Sequence, residues 1–133
     1  VDGWTAGFNA KAAFSPGLAE FASEEVEVMP GIRQIDARLP TLDDVELGVR
    51  LFLQVKAGKP QTAQPLILYF HGNGETVDTY KDPEVFEPLR ASGASALVVD
   101  FRGYGFSRGG DGPSLALLHV DAERICDAMP SFF

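Results

Sequence analysis

Residues 96–109 read ALVVDFRGYGFSRG, and two features of this stretch decide the fold. Its first six residues, ALVVDF, are apolar without alternation up to Asp100. A continuous apolar run of this length suits a strand covered on both faces, as in a parallel sheet. The remainder is a glycine-rich turn. Within it Gly105-Phe106-Ser107-Arg108-Gly109 satisfies G-x-S-x-G, the pattern in which a nucleophilic serine sits on a sharp strand-to-helix turn.

That pattern requires a strand running straight into the turn and a helix starting at the serine. Here five residues separate Phe101, the last strand-like residue, from Ser107. The residues after Ser107 are Arg-Gly-Gly-Asp-Gly-Pro, a poor helix start. Ser107 as the nucleophile therefore fails its context, and it reads as a loop residue bonding the turn backbone. Asp100 and Asp111 are the nearest acids. Asp100 is expected to fix the loop through Arg102 or backbone N–H groups.

A second non-alternating apolar run, PLILYF at 65–70, precedes the first. Between the two lies a helical pattern over about 76–92, with Val77, Tyr80, Val85, Phe86 and Leu89 facing inward and Gly93 as its stop. Pro83 and Pro88 predict a broken or kinked helix. Strand, helix and strand over this length make a βαβ unit, for which a right-handed crossover is the rule. After the glycine-rich loop a second helix is predicted over 114–129. Ser114 is its N-cap, Leu115, Leu118, Ala122, Ile125 and Met129 form its apolar stripe, and Pro130 ends it.

Upstream the periodicity changes. In VELGVRLFLQV (45–55), Val45, Leu47, Val49, Leu51, Leu53 and Val55 share one face. Glu46, Gly48, Arg50, Phe52 and Gln54 share the other, so a half-buried strand is predicted. VEVMPG and IRQIDARLP carry weaker strand signals, with Ile32, Ile35 and Ala37 alternating. The second is expected to pair antiparallel with 45–55 across a turn at 41–44. AGKPQTAQP (57–65) is a loop by its Gly and Pro content. Residues 1–24 read as a loose leader with one short helix near 18–23, leaving 25–133 as a single domain.

Composition narrows the function. The chain has 133 residues, 19 acidic against 11 basic, and a net charge of −8. That argues against nucleic acid and anionic membrane surfaces as partners. No apolar run approaches a membrane span and the N-terminus does not read as a signal peptide. A single cysteine, Cys126, excludes an intrachain disulfide and fits a reducing, cytoplasmic setting. Cys126 reads as a small packed thiol on the second helix.

The two loops after the apolar runs are His71-Gly72-Asn73-Gly74-Glu75 and Arg102-Gly103-Tyr104-Gly105-Phe106-Ser107. Both leave the C-terminal ends of strands, where open α/β sheets place ligands. Neither completes G-x-G-x-x-G, since Val77 and Arg108 stand where a small residue is needed, and no P-loop exists. No cofactor is expected. Nor is a metal: His71 and His119 are the only histidines, and Glu75 or Asp78 would make a third ligand at no recognised spacing. His119 reads as an ordinary packed or partly exposed helical histidine. Two readings of 71–75 stay open: a tight strand-to-helix turn without a ligand, or an oxyanion hole using the N–H groups of Asn73 and Gly74.

LILYFHGNGE followed by ALVVDFRGYGFSRG resembles the third strand with oxyanion loop, and the fourth strand with its D-x-R-G-x-G-x-S loop, of the α/β-hydrolase superfamily. Asp100, Arg102, Gly103, Gly105 and Ser107 match the second motif, and the likeness spans roughly 25–133. It implies the N-terminal part of an α/β-hydrolase fold: an antiparallel strand pair, then parallel βαβα, with helices on both faces of the sheet. It implies that His71, Gly72 and Glu75 form the oxyanion loop around Asn73 and Gly74. It also implies that nucleophile, acid and catalytic histidine come from a complementary half acting on a small ester-like substrate. In the family's strand order the run 65–70 would then present an open edge, to that half or to another copy of the chain.

Overall fold

The computed structural model of the chain describes residue 21 and residues 25–80 and 82–132. The leader helix expected near 18–23 lies outside these, apart from Phe21. The described strands are β1 (Val26–Met29), β2 (Ile32–Pro40), β3 (Glu46–Lys56), β4 (Lys59–Pro60), β5 (Leu66–Phe70) and β6 (Ser95–Asp100). The α-helices are α1 (Pro83–Ser92) and α2 (Leu118–Ala128). The architecture is α/β, with one mixed sheet in the order β1-β2-β3-β6-β5 and with β4 paired to β3.

β2 and β3 pair antiparallel, from Ile32 opposite Gln54 to Pro40 opposite Glu46. β3 and β6 are also antiparallel, whereas β5 and β6 are parallel, from Leu66 beside Ser95 to Phe70 beside Val99. The two apolar runs are therefore the parallel neighbours that their lack of alternation predicts. β5 stands at the end of the sheet.

Alternation along β6 divides the core in two. Leu97 and Val99 join Val45, Leu47, Val49, Leu51, Leu53 and Ile125 of α2. Val98 joins Ile32, Phe52, Val77, Phe106 and Phe86 of α1. The helices thus cover opposite faces of the central strands. Burial of this apolar surface stabilises the fold by roughly 25 cal/mol per Å².

β3 departs from the half-buried strand expected of it: both of its faces are buried along almost its whole length. Its polar residues are matched rather than solvated. Arg50, 4 % exposed, donates from Nε and Nη2 to the two carboxylate oxygens of Asp36, both at 2.7 Å, and from Nη1 to Asp78. Gln54 Nε2 donates to the carbonyls of Leu89 and Ala94 at 2.9 and 2.8 Å. At Gly48 the Phe106 ring lies where a side chain would be, 2.8 Å from an ideal Cβ. A burial cost that would be prohibitive for unpaired polar groups is met by partners from β2, α1 and the loops.

The predicted helix over 76–92 is broken ahead of Pro83, whereas Pro88, also expected to interrupt it, lies inside α1 without ending it. A 3₁₀ turn at Val77–Thr79 is capped by Thr76, whose side chain accepts from the Asp78 N–H, while Thr79 Oγ1 accepts from the Thr76 N–H. α1 starts afresh with Pro83 in its first turn, where a missing N–H costs nothing, and stops at Gly93 with φ +74°. Restarting resets the helical phase. Phe86 is buried, but Val85, expected inward, is 38 % exposed over the sheet edge.

The second helix also begins later than expected. A 3₁₀ turn at Leu115–Leu117 precedes α2, and the Ser114 side chain makes no capping bond. A 3₁₀ turn at Met129–Phe132, containing Pro130, follows it. Cys126 is exposed rather than packed. It lies one helical step, about 100°, from buried Ile125 and so falls off the apolar stripe.

Candidate functional site

Asp100 ends β6 with a fully buried side chain that joins three segments. Its Oδ1 accepts from His71 Nε2 at 2.7 Å and from the Val77 N–H at 3.1 Å. Its Oδ2 accepts from the Phe106 N–H at 3.2 Å. The 71–75 loop, the start of the crossover and the 102–107 loop thus converge on one carboxylate. Of the two expected partners, backbone N–H groups hold the carboxylate and Arg102 faces elsewhere. It donates to both oxygens of Asp121 on α2, at 2.9 and 2.7 Å, and to Asp43 in the β2–β3 turn at 2.8 Å. Three fixed N–H donors already satisfy Asp100, which leaves Arg102 to anchor α2.

Ser107 is tied down on both sides. Its hydroxyl donates to the Asp100 carbonyl at 2.6 Å and accepts from the Gly48 N–H at 2.7 Å. The Ser107 proton thus serves a backbone carbonyl, and among its hydrogen-bond partners there is no general base. Its neighbour Arg108 makes a two-way backbone pair with Glu46, closing the loop onto β3. Gly103 packs against the backbone of Pro113 and Gly105 against the Asp100 carboxylate.

His71 is buried at the end of β5, with Nδ1 3.0 Å from the Gly72 carbonyl. Burial opposes its charged form. The hydrogen bonds to Asp100 and to the Gly72 carbonyl, with the charges of Asp100 and Glu75, outweigh that and raise its pKa above the ordinary 6.5. Gly72, Asn73 and Gly74 are exposed, and the Glu75 N–H closes a tight turn on the Gly72 carbonyl at 3.1 Å. Tyr104, buried in the other loop, donates to Asn73 Oδ1 at 2.7 Å. Tyr80 donates to the Glu75 carboxylate and stands 2.9 Å from the Tyr69 hydroxyl. Burial and the Glu75 hydrogen bond push the Tyr80 phenol well above its usual range.

His119 is exposed on α2, far in sequence and element from this cluster. Among the described residues no group of three or more His, Cys, Asp or Glu side chains could hold a metal ion, and no helix is long and apolar enough to cross a membrane.

Sequence reasoning missed Asp121, Asp43, Tyr104 and the Asp36–Arg50–Asp78 cluster. One signal was present: Asp121 falls between Leu118 and Ile125 on the apolar stripe of α2, and a carboxylate there demands a buried cation. Asp36 and Arg50 are directly opposed across β2 and β3, which becomes visible only once the register is fixed.

No protein-family model matches the chain, and no solved structure matches it.

Proposed function

We propose that the chain is part of a serine hydrolase, supplying the oxyanion loop at 71–75 for acyl hydrolysis of a small ester-like substrate. The observation that carries this reading is the convergence on Asp100. It anchors both ends of an exposed glycine-rich turn at the C-terminal end of the parallel strand pair, where backbone N–H groups would meet a developing negative charge. Donors of this kind are worth about 3 kcal/mol each in an acyl-transfer transition state. The order of antiparallel strands, parallel pair and two covering helices supports an α/β-hydrolase fold. Nucleophile, acid and base come from a complementary segment, because Ser107 and His71 are both committed to structural bonds. The test is p-nitrophenyl acetate hydrolysis. The 133-residue chain alone is expected to turn over no faster than buffer, and a longer gene product carrying a further G-x-S-x-G is expected to be active. A gene product with no such motif after Phe133 overturns the reading.

A second reading has its own observation. Ile67 and Tyr69 on the edge strand are 46 % and 42 % exposed. They border an apolar groove of about 420 Å³ that runs along α1 past Phe52, Val85 and Leu89. An apolar strand edge of this kind pairs readily, so the chain would serve as a non-catalytic module that binds a second copy through β5. Light scattering decides: a dimer that Ile67→Lys dissociates supports it, and a monomer at all concentrations removes it.

A further inference from the structure

His71 has both ring nitrogens aimed at oxygen. Nε2 lies 2.7 Å from Asp100 Oδ1 and Nδ1 lies 3.0 Å from the Gly72 carbonyl. A carbonyl can only accept. Asp100 behaves as an acceptor too, taking the Val77 N–H on Oδ1 and the Phe106 N–H on Oδ2. A neutral imidazole carries one N–H, so one of the two contacts would set lone pair against lone pair. Both contacts are satisfied only when both nitrogens carry protons.

We propose that His71 is a positioning residue that acts as an imidazolium: its second proton holds the Gly72 carbonyl and thereby aims the Asn73 N–H of the oxyanion loop. The link is the planar trans peptide between Gly72 and Asn73, in which C=O and N–H point in opposite directions. With the carbonyl turned in to the ring, the N–H is turned away from it. The carbonyl also accepts from the Glu75 N–H at 3.1 Å, so loss of the Nδ1 proton removes one of its two donors, converts attraction for the ring into repulsion and tilts the peptide plane about the remaining bond. Gly72 permits the rotation, having no side chain to resist it. The role in catalysis rests on the hydrolase reading above; the charge state does not.

Among the described residues the titratable groups facing the ring are Asp100 at the end of β6, Glu75 from its own loop and Tyr104 from the loop after β6. Asp100 is hydrogen-bonded to it, Glu75 adds a more distant negative charge, and the Tyr104 ring lies 5.6 Å away, centroid to centroid. The charged partner in contact is thus an anion, consistent with the raised His71 pKa.

The experiment is histidine ring nitrogen NMR on the whole chain across pH. His119→Gln removes the only other histidine at an exposed position, which assigns the signal without touching the cluster. At pH 6.5 most of His71 is expected to show two protonated ring nitrogens. As pH rises further, the Asn73 N–H residual dipolar coupling is expected to change with the same midpoint as the His71 ring. A purely structural histidine would move the Asn73 amide shift by its charge alone and leave the Asn73 N–H residual dipolar coupling, which reads the peptide plane, unchanged through that titration. A single protonated nitrogen in half or more of the molecules at pH 6.5 overturns the charge state. An Asn73 N–H coupling that does not follow His71 overturns the positioning role. Because these spectra need no substrate, an inactive longer gene product would sink the hydrolase reading and leave this result standing.

Discussion

Gly105 lies against Asp100 so closely that a Cβ there would sit 1.9 Å from Asp100 Oδ2, in a backbone with φ +52°. The carboxylate that gathers the two loops exists in its place because residue 105 has no side chain. Gly105→Ala must displace a fully buried carboxylate from its three N–H donors, and a loss of about 3 kcal/mol or more is expected. Gly93→Ala is the control. Gly93 also has positive φ, but nothing stands within 4 Å of its Cβ direction, so about 1 kcal/mol is expected. Urea denaturation of the two variants checks this. Equal losses would mean that backbone strain, and not contact with Asp100, dominates at 105.

Ser107→Ala removes a backbone acceptor's donor and leaves the Gly48 N–H without its 2.7 Å partner. The expected cost is about 1–3 kcal/mol of stability. Ser107→Thr, which keeps the hydroxyl, should recover part of it. The measurement is thermal unfolding of both variants. A wild-type melting curve for Ser107→Ala would show that the hydroxyl does not hold the loop.

Arg50 stands between two carboxylates, one of them with no exposed side-chain surface. Arg50→Met removes the guanidinium that pairs with the buried Asp36 carboxylate, at an expected loss of about 3–5 kcal/mol. Asp36→Leu combined with Arg50→Met removes both charges. The double variant should be more stable than Arg50→Met alone, since Asp78 is partly exposed and can turn to water. A double variant less stable than the single one would contradict the assignment of Asp36 as the dependent partner.

Stability should fall at both ends of the pH scale through identifiable groups. The Arg102 hydrogen bond, then that of Thr41, lowers Asp43 from 3.8 to about 2. A depressed acid stabilises above its unfolded pKa, so this contribution is complete above pH 4 and lost as pH falls towards 2. The His71 pKa is raised above 6.5, so its contribution is complete below that value and lost as pH rises through the folded pKa. Urea midpoints against pH check both. Asp43→Asn should flatten the acid limb, and His71→Gln should flatten the limb above pH 6.5. A slope unchanged by its own substitution refutes that assignment.

The fold was legible wherever burial imposed a period. Unbroken apolar runs at 65–70 and 96–101 marked the parallel pair, and Pro83 marked the restart of the crossover helix, whereas Pro88 interrupts nothing. The candidate site was legible in part, because glycines at 72, 74, 103 and 105 announce turns whatever surrounds them. Partners were not. Either Arg102 or backbone N–H groups were expected at Asp100; the N–H groups hold it, and Arg102 pairs with Asp121, nineteen residues on. β3 was expected to show a wet face because Arg50 and Gln54 are polar. Their burial depends on Asp36, Asp78 and two carbonyls that only the folded register brings together. Val85 and Cys126 were misplaced for a simpler reason: one residue of helical phase turns an inward position outward.

The central claim is that 71–75 serves a nucleophile outside residues 1–133. Fluorophosphonate labelling of the full gene product, with the modified serine located by mass spectrometry, tests it most directly. The account expects one labelled serine, in a G-x-S-x-G beyond Phe133, with Ser107 unmodified. Label on Ser107, or on no serine at all in the folded protein, would contradict it.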